Sequence, residues 1–102
     1  MVFFNRLYDF GDREVVRTYA MKIDIGLRQI ENTYNLQTIK GLSIAIRNEV
    51  RDMMISAQKL TAESKECLDV KYRGQKIMYY DFLSILTNIS ADIVRRGGYP
   101  II

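Results

Sequence analysis

The residue types best suited to ligand chemistry lie in one short run, Lys71-Tyr72-Arg73-Gly74-Gln75-Lys76, with Tyr79 and Tyr80 just beyond it. Three cations around a glycine turn can grip phosphates, and tyrosine rings offer a face on which a base stacks. Lys71, Tyr72, Arg73, Lys76 and Tyr80 are therefore candidate contacts to a nucleic acid or a nucleotide. The plainer reading is a solvated turn opening a helix whose tyrosines are half buried. The charge balance favours that reading: 15 Lys+Arg against 12 Asp+Glu give +3, far below the charge of a committed nucleic-acid binder.

Two further charged rows invite the same question. Lys40, Arg47 and Arg51 are spaced for one helix face, but Glu49 and Asp52 are close in sequence, so a mixed, solvated face is expected. Glu63, Glu66 and Asp69 would line one side of a helix and could hold a magnesium ion through water. Lys59 and Lys65 lie near enough to neutralise them, and a solvated acidic face is again expected.

Several chemistries are excluded by counting. With no histidine in the chain, neither a Ser-His-Asp nor a Cys-His nucleophile can be assembled. Cys67 stands alone, so it makes no internal disulfide and cannot supply the thiolates of a structural zinc. It reads as a small buried hydrophobe rather than a reactive thiol. No carboxylate pair sits in an apolar setting that would split two pKa values for acid–base work, and there is no phosphate-binding glycine signature. The expectation is a protein that is not an enzyme, with no catalytic residue, no metal and no cofactor.

The elements that carry these residues are read from periodicity. At 102 residues and 48% hydrophobic, the chain suits one domain with a real core. Four punctuation marks divide it: Gly11-Asp12, Asn32 to Asn35, Arg73-Gly74-Gln75, and Gly97-Gly98 before Pro100. Residues 1–11 read as an aromatic arm. Residues 12–33 read as a helix capped by Asp12, with a buried stripe from Val16 through Ile30 to Tyr34 and a favourable Asp24–Arg28 pair. Gly26 in its middle suggests a close helix approach. A long helix over 36–62 follows, capped by Asn35, and its apolar surface is wider than one seam requires.

Residues 63–73 are ambiguous. Leu68, Val70 and Tyr72 alternate with Asp69 and Lys71, and beyond Gly74 Ile77 and Tyr79 alternate too, as in a small hairpin, but nothing else in the chain reads as a strand to pair with, so a short helix or turn is preferred. Residues 76–96 form the last helix, ended by Arg95, Arg96 and a left-handed Gly97. Residues 97–102 are an apolar tail. The expected fold is all-α: a small antiparallel bundle of three to four helices in a single domain over 1–102.

Function then rests on surplus apolar surface. Phe3, Phe4, Leu7 and Tyr8 crowd the arm, Tyr99 and Ile101 end the chain, and Ile44, Met54 and Ile55 lie off the main stripe of the long helix. These nine are the candidate interface residues, since aromatic, Met and Arg side chains are enriched in interface cores. The chain reads as a protein-interaction module (an adaptor, an inhibitor or immunity factor, or an assembly subunit), with a homo-oligomer expected. The alternative is the nucleic-acid or nucleotide binder described above. No secretory signal and no stretch of ~18 apolar residues is readable, so a cytoplasmic protein without a membrane partner is expected.

Overall fold

A computed structural model describes the backbone of residues 2–102 and the side chains from residue 11 onward. Six elements follow in order: α1 (Val2–Glu31), α2 (Leu36–Gln58), α3 (Ala62–Cys67), β1 (Asp69–Tyr72), β2 (Gln75–Met78) and α4 (Tyr79–Arg95). The fold is mostly helical but not strictly all-α, because residues 69–78 form a two-stranded antiparallel hairpin.

The frame is the antiparallel pair α1–α2. Val16, Ala20, Ile23, Leu27 and Ile30 of α1 face Ile39, Ile46, Val50, Met53 and Ala57 of α2, all buried. This is the helical spacing that puts one apolar stripe on each partner. Asn35 caps α2, its Oδ1 accepting the Thr38 N–H at 3.0 Å. The molecule is elongated, 52 × 21 × 17 Å, as a helix of 30 residues rising about 1.5 Å each demands.

Several boundaries differ from expectation: the last helix starts at Tyr79 rather than residue 76, because Gln75–Met78 form β2. Backbone helix runs from Val2 straight through Gly11 and Asp12, so the stretch read as an arm is helical and Asp12 caps nothing. The side chains of Phe3, Phe4, Leu7 and Tyr8 lie outside the described residues. At the other end α1 stops at Glu31, so Tyr34 leaves the stripe and is 96% exposed. The long second helix ends at Gln58, and Thr61 starts a new short one, its Oγ1 accepting the Ser64 N–H at 3.1 Å.

The hairpin forms because residues 69–72, in the ambiguous segment, pair with residues 75–78 just beyond it, most of which were expected to open the last helix. Val70 opposes Ile77, and Tyr72 opposes Gln75 across a two-residue turn of Arg73 and Gly74. Both turn residues take positive φ, 51° and 81°, the pattern that matches the twist of a tight hairpin and needs glycine at the second position. An isolated two-stranded hairpin is marginal. Here α1 supports it: Arg17 Nη2 donates to Asp69 Oδ1 at 2.8 Å, and the Arg73 N–H donates to Asp24 Oδ2 at 3.2 Å. The Tyr79 N–H then donates to the Leu68 carbonyl at 2.8 Å, carrying the ladder into α4.

α4 contributes Phe82, Leu86 and Ile93 to the core. Beyond it the tail turns back through the left-handed Gly97. At Gly98 a Cβ would stand 2.6 Å from both Ile93 Cγ2 and Ser43 Oγ, so only glycine passes between α2 and α4 there.

Candidate functional site

Two regions gather the candidate residues. On the hairpin, Arg73 is fully engaged within the chain. Its side chain pairs with Glu31, its Nε donates to the Tyr72 hydroxyl at 3.3 Å, and its guanidinium lies 5.6 Å from the centre of the Tyr72 ring. The Tyr72 ring also packs on Phe82, centroids 5.7 Å apart. Burial raises the Tyr72 phenol pKa, the Asp24 carboxylate adds to the rise, and Arg28 opposes it. Tyr72 therefore anchors the hairpin on α4, and Arg73, although exposed, is held to Glu31 and Tyr72.

Lys71 and Lys76 differ. They stand directly opposite each other across the strands, both exposed, with no ion pair to either among the described residues. Tyr80 is exposed at the start of α4, edge-on to Tyr79 at 5.3 Å. Burial, and then the neighbouring Tyr80, pushes the Tyr79 phenol up to about 12. The acidic row does not form on one helix face: Glu63 and Glu66 are exposed on α3, whereas Asp69 lies on β1 and holds Arg17. Cys67 is exposed rather than buried. Among the described residues no three His, Cys, Asp or Glu side chains gather as a metal site would require.

The second region is built by the tail. Ser90 Oγ accepts the Ile101 N–H at 2.9 Å and the Ile102 N–H at 3.4 Å. That places the Ile101 side chain in the core, 1% exposed, so the tail packs on the chain's own bundle at this residue and Ile101 is not the exposed interface residue expected of it. Pro100 and Ile102 stay on the outer side. With Arg47, Arg51, Met54 and Ile55 of α2 they line an open groove. Ile55 is 50% exposed, and Met54 rests partly on the core. Ile44 is exposed three turns earlier on the same flank of α2, and Tyr99 is exposed at the tail.

Arg47, Arg51, Pro100 and Ile102 line the groove but are not among the nine candidate interface residues. Glu49 lies about 200° around the helix from both Arg47 and Arg51, so it does not share their side of α2. Arg51 Nη2 donates to Asn48 Oδ1 at 3.0 Å. Among the described residues no carboxylate pairs with Lys40, Arg47 or Arg51.

A further hollow, floored by Leu27, Ile30 and Ile93 between α1 and α4, has a rim already engaged within the chain. Arg96 Nη2 donates to the carbonyls of Ile30 and Thr33 at 3.0 and 2.6 Å, capping the end of α1, and Glu31 holds Arg73. No helix of the described residues is long and apolar enough to cross a membrane. No family model, no curated protein and no solved structure matches the chain.

Proposed function

We propose that the chain is a non-enzymatic protein-interaction module, an adaptor, inhibitor or assembly subunit, whose binding face is the groove between α2 and the tail. One observation carries this reading. Ile55 and Ile102 stay exposed beside each other in a concavity that the chain's own tail completes. A tail held by two backbone donations to Ser90 and threaded past Gly98 gives that concavity a fixed shape. Exposed apolar surface in a preformed hollow with arginines at its rim is the anatomy of a protein contact. The test is affinity capture from a lysate of the source organism, wild type beside Ile55→Glu, with helix content followed by circular dichroism. A protein retained in stoichiometric amount by wild type and lost with Ile55→Glu at unchanged helicity supports the proposal. Retention by both chains, or by neither, contradicts it.

A second reading rests on the unpaired Lys71 and Lys76, opposed across the hairpin. Like charges directly opposite each other destabilise a strand pair, and an anion bridging them would relieve that repulsion. Binding of a nucleic acid there would weaken steeply with salt and fall again in a Lys71→Ala, Lys76→Ala chain. Affinity unchanged between low and physiological salt would remove this reading.

A further inference from the structure

We infer that the occupant of the groove between α2 and the tail is an acidic, amphipathic segment of a partner protein, apolar residues interleaved with carboxylates; this rests on the protein-binding reading above. The groove joins two chemistries. Its floor is aliphatic, with Met54, Ile55, Pro100 and Ile102, and the charged side chains that line it, Arg47 and Arg51, are both cations. Lys40 continues the cationic row, seven residues before Arg47 and so on the same side of α2. The acidic residues of α2 point elsewhere: Glu49 lies about 200° from Arg47 and Arg51, and Asp52 about 100° from Arg51. These three cations have no carboxylate partner among the described residues, whereas Arg17, Arg28, Arg73 and Arg95 each have one. Those four arginines are neutralised within the chain, and this row is open.

Guanidinium groups at the rim of an apolar hollow match carboxylates flanking an apolar side chain, because a planar fork binds a carboxylate through two parallel hydrogen bonds. The same charges disfavour a second copy of this chain. A two-fold contact is made of one patch on both subunits, so it would set the arginine side chains of one copy against those of the other over a lining that has no acidic side chain. A nucleic acid would satisfy the arginines but not the floor, which offers aliphatic groups where a base needs an aromatic face. A bilayer needs apolar groups that protrude, and these line a concavity.

The experiment is selection of displayed random peptides against the full chain, followed by binding of the enriched peptides to wild type, Ile55→Glu and the double variant Arg47→Glu, Arg51→Glu. The inference expects enriched sequences that carry Asp or Glu between apolar residues. It also expects at least about a tenfold loss of their affinity in the double variant and a loss on raising salt, with helix content unchanged. Enriched peptides that are neutral or basic, or that bind the double variant as well as wild type while failing on Ile55→Glu, overturn the acidic partner and leave the protein-binding groove standing. If no enriched peptide depends on Ile55, both readings fall together.

Discussion

The hydroxyl of Ser90 accepts the backbone N–H of Ile101 at 2.9 Å on the buried side of α4. The bond makes the tail part of the fold, because it satisfies a backbone donor that would otherwise be buried without a partner. It also sets which tail side chains face in and which face out: Ile101 enters the core and Ile102 joins the groove. Ser90→Ala should cost about 1–3 kcal/mol, the usual penalty for orphaning a buried donor. Faster amide exchange at Ile101 and Ile102 than at the centre of α1 should accompany the loss. An unchanged denaturation midpoint with unchanged exchange would show that the tail is held by other contacts.

The close approach of α1 and α2 at Gly26 yields a coupling prediction. A Cβ at Gly26 would stand 2.8 Å from Ile46 Cγ1 and 3.2 Å from its Cδ1. Helix propensity alone would favour alanine there by about 1 kcal/mol, whereas overpacking costs about 1–3 kcal/mol. Gly26→Ala should therefore destabilise the wild-type chain but be neutral or stabilising in an Ile46→Ala chain, a sign change that a double-mutant cycle in denaturant reads directly.

Asp24 ties the hairpin to α1. It is 7% exposed, and its Oδ2 accepts both the Arg73 N–H at 3.2 Å and Arg28 Nη2 at 3.0 Å. Asp24→Ala should destabilise by about 1–3 kcal/mol, and Asp24→Asn, which keeps one acceptor in place, by less. The comparison is made by chemical denaturation. Equal losses would mean that the negative charge, which Asn lacks, and not the retained acceptor is what matters.

Much of this frame was legible in the sequence because periodicity reports burial. The stripes from Val16 to Ile30 and from Ile39 to Ala57, the Asn35 cap, the Asp24–Arg28 pair and the tightness at Gly26 all follow from local spacing. What local spacing could not carry was contact between segments distant in sequence. The hairpin depends on α1, through Arg17 with Asp69 and Asp24 with the Arg73 N–H, so its strands looked unsupported when read alone. The groove depends on residues 100–102 reaching α2 around residues 47–55, and the inward turn of Ile101 depends on Ser90. Ile44, Met54 and Ile55 were picked out as surplus apolar residues, but Arg47 and Arg51 join them only once the tail is in place.

Alkaline pH should loosen the fold through Tyr79. Its phenol has an ordinary value of 10.0 and is pushed up to about 12 by burial and then by Tyr80. Because the folded value is the higher one, the associated stability is fully present below pH 10 and is lost as pH rises from 10 towards 12. The loss approaches about 2 kcal/mol. Thermal melts at rising pH should show a steeper decline for wild type than for Tyr79→Phe, which has no phenol to ionise. Parallel declines would assign the alkaline sensitivity to other groups.

The central claim, that the groove between α2 and the tail is the binding face, is tested most directly by photo-crosslinking from two positions of similar exposure. Ile55 at the groove is 50% exposed, and Met21 on the outer face of α1 is 55% exposed, so solvent access does not distinguish them. A photoreactive residue at position 55 should capture a discrete protein partner in cells of the source organism, while the same residue at position 21 should not. Equal capture at both positions, or capture at 21 alone, would contradict the account.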